Sequence, residues 1–194
     1  MEGQLEQFFY EKFISNLETG RVRLKEMWNS DQKWTSSEWT KKVTDAAQKA
    51  TLDSLDALNA GDKQVAAKGH SDIHGYSEYL TIDVTGYDEA TWSHPIIAVE
   101  HENSVCIDKI KYCAWKLLSV RAKLRVLICY IDPSRKYINA PEKFEDLEID
   151  KIVKDNPNTS FSVILGHWNN DPLKSESWKE VYKLKTLSDI CQTM

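Results

Sequence analysis

Several common signatures are absent from this chain of 194 residues. No apolar stretch approaches the roughly 20 residues that a membrane-spanning helix needs. The sequence contains no G-x-x-x-x-G-K-S/T loop, no G-x-G-x-x-G, no H-E-x-x-H and no G-x-S-x-G. Its seven glycines are scattered rather than clustered. Nucleotide-cradling loops and serine hydrolase chemistry are therefore not supported.

Paired cysteines and an excess of basic residues are also absent. The four cysteines, Cys106, Cys113, Cys129 and Cys191, form no C-x-x-C, and three of them lie in apolar segments. We expect buried, reduced thiols in a cytoplasmic protein. The first residues, MEGQLEQFF, have no basic region before an apolar run, so we expect no signal peptide. The net charge of −5 means that any nucleic-acid binding would have to use a local basic surface.

The order of predicted elements indicates one mixed α/β domain over residues 1–194. Hydrophobic content of 41% and charged content of 28% are typical of a soluble globular protein. Periodicity predicts the order helix, helix, three strands, helix, strand, helix, strand, strand, which is a sheet flanked by helices. The predicted helices cover about 4–18, 35–60, 105–120 and 142–155, and the later strands about 124–131, 161–168 and 178–185. Residues 1–35 are interpreted as a helical extension, 36–168 as the core, and 169–194 as an edge strand and tail.

Acidic residues mark the ends of two predicted strands between Glu78 and Asn103. Asp83 is predicted to lie in the first strand, and Gly86 to Ser93 in the turn that follows. The second strand is the apolar run Pro95 to Val99, which ends in Glu100-His101-Glu102. Because side chains alternate along a strand, Glu100 and Glu102 are expected on one face.

Two carboxylates at the end of a buried strand are costly unless positive charge compensates them. A hard divalent cation with oxygen ligands would do so, whereas the simpler alternative is a strand that emerges into water. Charge segregation favours the first interpretation. Residues 71–104 contain seven acids and no Lys or Arg, whereas residues 105–136 contain eight bases and two acids. An acidic site beside a basic strip suits a metal-dependent site that acts on a polyanion.

Other polar and aromatic features allow two interpretations each. Lys109, Tyr112, Lys116 and Ser119 share one face of the helix predicted over 105–120, which is either a solvated stripe or a row that meets phosphates. The loop containing His70, Asp72 and His74 is either solvated or a wall of the site, since its spacing matches no zinc pattern. Trp28 and Trp34 are either core or dimer contacts, or stack on unpaired bases.

These residues, in this order, resemble the PD-(D/E)XK nuclease superfamily, which has the restriction-endonuclease-like fold. The family signature is an Asp and then, after a hairpin, a Glu-x-Lys at the end of the neighbouring strand. Asp83 would match the Asp and Glu100 the Glu, over a resemblance that covers roughly residues 36–168. Ile82 stands where the signature has Pro, and Glu102 stands where it has Lys. The missing lysine would be supplied by Lys116 or Lys109 from the following helix, unless Glu102 serves in its place or activity is lost.

The resemblance implies hydrolysis of phosphodiester bonds in DNA, with RNA left open, and dependence on Mg²⁺ or Mn²⁺. Asp83 and Glu100 would ligate the metal, with the carbonyl of His101 as a further candidate ligand, and Glu102 would bind a second cation or orient the attacking water. Lys109, Lys116 and Arg121 would track the nucleic-acid backbone. Glu38 is either an accessory acid or part of a capping box with Thr35 as N-cap. By analogy with palindromic targets, a homodimer is favoured.

Three hypotheses follow from the sequence. The first is a metal-dependent DNA endonuclease. The second is a catalytically inactive module of the same fold that binds nucleic acid or a protein partner, as the missing Lys and the acidic composition would favour. The third is an unrelated α/β protein whose Glu-x-Glu is only a strand end. Separation of Asp83 from both glutamates by more than about 8 Å would favour the third, because oxygen ligands of a shared cation lie about 2 to 2.6 Å from it.

Overall fold

A six-stranded mixed sheet forms the centre of the computed structural model. The structure describes residues 2–19, 36–58, 63–67, 81–88, 94–133, 139–154, 160–167 and 178–191. The strands follow one another across the sheet in chain order: β1 Lys63–Ala67, β2 Val84–Asp88, β3 Ile97–His101, β4 Leu124–Ile131, β5 Phe161–His167 and β6 Tyr182–Thr186. Strands β1, β2 and β3 are antiparallel neighbours, β3, β4 and β5 are parallel, and β6 returns antiparallel to β5.

Helices cover both faces of this sheet. Their bounds are α1 Glu2–Glu18, α2 Ser36–Ala57, α3 Ile107–Leu118, α4 Ile149–Val153, α5 Trp178–Val181 and α6 Leu187–Cys191, with a 3₁₀ helix at Phe144–Leu147. The helix α3 provides the crossover between the parallel strands β3 and β4, as parallel pairing requires. The mixed α/β class predicted from the element order is confirmed.

The alternation of side chains along the strands divides the interior into two apolar clusters. On one face, α1 and α2 pack against Val99, Val126 and their neighbours. On the other face, α3, the 3₁₀ helix and α4 pack against Ala98, Leu127 and theirs. Although residues 1–35 are predicted as an extension, α1 belongs to the first cluster, to which it contributes fully buried Phe9, Phe13 and Leu17.

Several element boundaries differ from the prediction. Asp83 lies just before β2 rather than inside a strand, and Gly86 lies within β2, paired with Val65 and Ile97, rather than in a turn. The helix predicted over 142–155 is interrupted at Glu148, which has a left-handed φ of 50° and separates the 3₁₀ helix from α4. Residues 178–181 form a short helix ahead of β6 rather than the start of an edge strand.

The cysteine prediction is confirmed only in part. All four thiols are free, and Cys113 and Cys129 are buried. Cys106 is half-buried, and Cys191, the last residue of α6, is exposed. The predicted Thr35 cap, Trp28, Trp34 and the loop with His70, Asp72 and His74 lie outside the described residues. Within the described ranges, every helix is too short or too polar to cross a lipid bilayer.

Candidate functional site

Asp83 and Glu100 come together where β2 begins and β3 ends. The antiparallel register pairs Val84 with Val99, so residue 83 lies directly across from residue 100. The backbone N–H of Asp83 donates a hydrogen bond to Oε1 of Glu100 at 3.1 Å. In return, Oδ2 of Asp83 accepts a hydrogen bond from the backbone N–H of His101 at 2.8 Å. The two acids are therefore neighbours, and the separation expected for a mere strand end is not observed.

A lysine from α3 completes this group. The side chain of Lys116 is 14% exposed, and its Nζ lies 2.7 Å from Oε2 of Glu100, whose own side chain is 2% exposed. The same ammonium donates a hydrogen bond to the carbonyl of Thr81 at 3.0 Å. Thr81 has a φ of 63°, a conformation that β-branched residues rarely adopt. Of the two lysines proposed from the sequence, Lys116 is thus the one that the structure places against Glu100.

Burial dominates the electrostatics of Glu100. It raises the pKa of this carboxyl to about 7, and the nearby charge of Asp83 acts in the same direction, whereas hydrogen bonding to Lys116 opposes both. For Lys116, burial lowers the pKa, but the hydrogen bond and charge of Glu100 outweigh it and the net direction is upward. The pair is consequently fully ionised only above about pH 7. A perturbed carboxyl with a specific charged partner is what catalytic sites tend to contain.

Glu102 lies on the same side of the sheet as Glu100, as strand alternation predicts. Its Oε1 accepts a hydrogen bond from the backbone N–H of Ser104 at 2.6 Å, and its Oε2 lies 3.8 Å from the thiol of Cys113. Burial and the charges of Glu100 and Glu102 raise the pKa of that thiol well above its ordinary value. Cys113 was not singled out as a site residue. Its position one turn before Lys116 on α3 is the signal that could have found it.

His101 projects to the opposite face of the sheet. Its Nε2 lies 2.9 Å from the hydroxyl of Tyr130, which also accepts a hydrogen bond from Nε1 of Trp39 and lies 3.0 Å from the hydroxyl of Tyr182. Burial lowers the pKa of His101 to about 3, so the ring is neutral at physiological pH. The imidazole is therefore turned away from the acids, and only the backbone carbonyl of His101 stays a predicted metal ligand.

The predicted basic strip is only partly available to a ligand. Arg125 is buried, and its guanidinium donates to the carbonyls of Leu117, Val120 and Ala122 at the end of α3. Lys111 pairs with Glu148. The cations that are exposed include Lys109 on α3, together with Arg121 and Lys123 just beyond its end. Arg125 is one of the eight bases counted in residues 105–136, but it does not contribute to an exposed basic surface, because its side chain binds carbonyls at the end of the helix instead.

The remaining candidate acid is on another element. Glu38 is exposed in the first turn of α2, next to Trp39, and its accessory role stays a prediction. Among the residues that the structure describes, no group of three or more His, Cys, Asp and Glu side chains is arranged to hold a metal ion. The protein side chains at this end of the sheet offer instead a pair of carboxylates, Asp83 and Glu100, beside one ammonium group.

Comparison with known proteins returns no relatives: no protein-family model, curated protein or solved structure matches this chain.

Proposed function

We propose that the protein is a divalent-metal-dependent nuclease of restriction-endonuclease-like fold that hydrolyses phosphodiester bonds in DNA. The observation that carries the proposal is the convergence of Asp83, Glu100 and Lys116 at the ends of β2 and β3. These are the three residue types of the PD-(D/E)XK signature. Here the lysine comes from α3, because residue 102 of this chain is a glutamate.

The arrangement of the surrounding elements supports the same proposal. The helix α2 precedes three strands that pair antiparallel, and α3 then crosses over to β4, which lies parallel to β3. The resemblance described from the sequence places its two acidic positions on the second and third of these strands. In this chain Asp83 directly precedes β2 and Glu100 lies in β3.

The two carboxylates are compatible with Mg²⁺ or Mn²⁺. Magnesium is usually bound by one or two carboxylates together with waters and substrate phosphates, rather than by a complete cage of side chains. Asp83 and Glu100 would hold it. Burial, and after it the nearby charge of Asp83, raises the pKa of Glu100, and a bound cation would stabilise both acids in their ionised form. When bound, the metal supplies a water of lowered pKa and neutralises charge on the phosphate.

Lys116 supplies the remaining positive charge. Its ammonium is fixed by Glu100 and by the carbonyl of Thr81, so it is oriented before substrate arrives. A preorganised cation beside the scissile phosphate stabilises the charge that develops during hydrolysis. Glu102 lies one residue beyond β3, where its carboxylate accepts a hydrogen bond from the backbone N–H of Ser104. From this position it would orient the attacking water.

A cleavage assay on single- and double-stranded DNA with Mg²⁺ or Mn²⁺ tests the proposal. We expect Glu100→Gln to abolish cleavage and Lys116→Met to reduce its rate by about 100- to 1,000-fold, the usual cost of removing one preorganised stabilising group. Glu145→Gln and Lys154→Met remove one exposed acid and one exposed base from the 3₁₀ helix and the end of α4, and are the matched controls. Cleavage that survives Glu100→Gln would contradict the proposal.

A second function, a binding module without catalysis, is favoured by one specific observation. Glu102 occupies the position at which the signature has its lysine. Nucleic-acid or protein binding with no turnover under either metal, in a correctly folded wild type, would select this function over the nuclease.

A further inference from the structure

Two large aromatic side chains are exposed and stacked on α3. Tyr112 and Trp115 are each 58% exposed, and they lie on neighbouring turns of the helix. Their ring centroids are 6.0 Å apart and their planes differ by 30°. The other large apolar residues exposed in the described ranges are Leu52 on α2 and Leu58, one residue beyond its end. Exposed apolar surface that is contiguous in this way commonly marks a site of interaction.

This aromatic pair lies next to the carboxylate site. Nζ of Lys116 is 6.0 Å from the ring centroid of Tyr112 and 2.7 Å from Oε2 of Glu100. One ammonium group therefore links the edge of the pair to the acids. The rise per nucleotide along a stacked strand is about 3.4 Å, so a chain whose phosphate lies at Glu100 would bring a base to Tyr112 within a few nucleotides.

The exposed charged residues on α3 and in the segment that follows it suit a polyanion. Lys109 is exposed one turn before Tyr112, and Arg121 and Lys123 are exposed beyond the end of α3. Asp108, in the first turn, is the exposed acid of the helix. Proteins that bind single-stranded nucleic acids combine exposed cations, which follow the backbone, with aromatic side chains, on which the bases stack.

We infer that Tyr112 and Trp115 form a stacking platform for unpaired bases, and that the substrate class is nucleic acid with a single-stranded segment beside the scissile phosphate. This inference rests on the proposed nuclease function and specifies its substrate. Within a continuous duplex both faces of each base are covered by neighbouring bases. The platform can therefore receive a base only from a single strand, an overhang or an extruded nucleotide.

Binding of two labelled probes in EDTA, followed by fluorescence anisotropy, tests the platform without cleavage. The probes are an oligothymidylate and a mixed-sequence duplex of equal length, at one fixed salt concentration. We expect Trp115→Ala and Tyr112→Ala each to weaken binding of the oligothymidylate by about 5- to 150-fold, the range for losing one stacked base. Binding of the duplex should not change.

Matched variants separate stacking from other effects. Trp115→Phe and Tyr112→Phe keep a ring and should retain most of the single-strand affinity, whereas Leu52→Ala removes an exposed apolar side chain from α2 and should have no effect. Equal affinity of the alanine variants and the wild type for the oligothymidylate would overturn the inference and leave the pair as a surface for a protein partner. Equal losses on both probes would also overturn it.

The same proteins distinguish failure of the platform from failure of the nuclease. If cleavage requires Glu100 but the alanine variants bind and cut single strands as the wild type does, the platform is wrong and the nuclease proposal stands. If the platform binds single strands selectively but no DNA is cut with Mg²⁺ or Mn²⁺, the platform stands and the catalytic proposal fails.

Discussion

Glu100 is the residue on which the site depends, and its environment is energetically costly. Its side chain is almost fully buried and lies close to the charge of Asp83. The ammonium group of Lys116 balances the negative charge of its carboxylate. Buried ion pairs seldom contribute net stability, because desolvation cancels most of the attraction, whereas removing one partner leaves a costly unpaired charge. The pair of Glu100 and Lys116 is therefore expected to contribute little net stability.

The raised pKa of Glu100 predicts how stability varies with pH. In the folded chain the pKa is about 7, above the ordinary value of 4.5, so the folded state holds a proton that the unfolded state has released between these values. The stabilisation is complete below the ordinary pKa and is lost as pH rises through the folded one. Relative to Glu100→Gln, which does not titrate, the wild type should lose about 3 kcal/mol of unfolding free energy between pH 4.5 and pH 7.

Urea denaturation of both proteins in EDTA at several pH values measures this difference. Glu145→Gln, which changes an exposed acid, should instead keep a nearly constant offset from the wild type. Parallel pH dependences of the wild type and Glu100→Gln would show that the carboxyl is not perturbed by its burial.

At the residue scale, the sequence was a better guide to which residues come together than to the geometry of their contacts. Alternation was sufficient to place Glu100 and Glu102 on one face, and Lys116 was one of two lysines proposed to approach them. The choice between Lys116 and Lys109 depends on how α3 packs against β3, which periodicity does not encode. Cys113 was overlooked because a lone cysteine in an apolar helix is usually just part of the core.

The contact between α2 and β2 shows why one strand boundary was wrong. Gly86 was assigned to a turn, yet it lies in the middle of β2 because another element approaches it closely. A Cβ at this position would lie 2.5 Å from Cγ2 of Thr51 and 3.1 Å from Cδ1 of Leu55. Glycine in a strand often marks such an approach, and a single sequence does not distinguish it from a turn.

This contact predicts a destabilising substitution and its rescue. Gly86→Ala should lower the unfolding free energy by about 1–3 kcal/mol, because the core has to accommodate an extra methyl. Thr51→Ser removes Cγ2 but keeps the hydroxyl that donates to the carbonyl of Ala47 at 2.8 Å. In the Gly86→Ala background it should restore part of the loss, as a double-mutant cycle from urea denaturation would measure.

Thr44→Ser is the matched control for this cycle. Thr44 is a buried threonine two turns earlier on α2, so its effect should simply add to that of Gly86→Ala. If the effect of Thr51→Ser also simply adds to that of Gly86→Ala, then β2 moves to accommodate the methyl group and the Thr51 side chain does not. That result would contradict the proposed clash.

Among the elements, strand and helix cores were predicted better than their ends. The segment 124–131 matches β4 residue for residue, because a short run that is apolar except for Arg125 is typical of a central strand covered on both faces. The polar segment 142–155 was predicted as one helix, but Glu148 breaks it in a left-handed conformation while it pairs with Lys111 and Lys151. Local propensity does not reveal such long-range pairing.

For the whole molecule, the metal proposal predicts a change in thermal stability. A cation bound only by the folded chain adds about 2.7 kcal/mol at 100 times its dissociation constant, which for a chain of this size corresponds to a rise of roughly 5–10 °C in Tm. We expect this rise with Mn²⁺ at pH 8 for the wild type and for Glu145→Gln, and its reversal by EDTA. Glu100→Gln and Asp83→Asn should show none.

Calorimetry of the four proteins, with and without Mn²⁺, provides the measurement. An equal rise in Tm in all four would place the cation elsewhere on the molecule.

At this scale the order of elements was enough to predict the α/β class, because alternating strands and helices have few ways to cover both faces of a sheet. The position of α1 was not predicted, since an amphipathic helix does not specify which face it covers.

The hydroxyl groups on the other face of the sheet connect distant parts of the chain. Tyr10 of α1 donates to the carbonyl of Tyr182 in β6, the hydroxyl of Tyr182 meets that of Tyr130, and Tyr130 meets His101 beside Glu100. The helix α1 and the strand β6 are thereby joined, through the interior, to β3, the strand that carries Glu100. A shortened version of the chain that starts at α2 would lack this anchor, so a fragment designed to hold Glu100 in place should include α1 and β6.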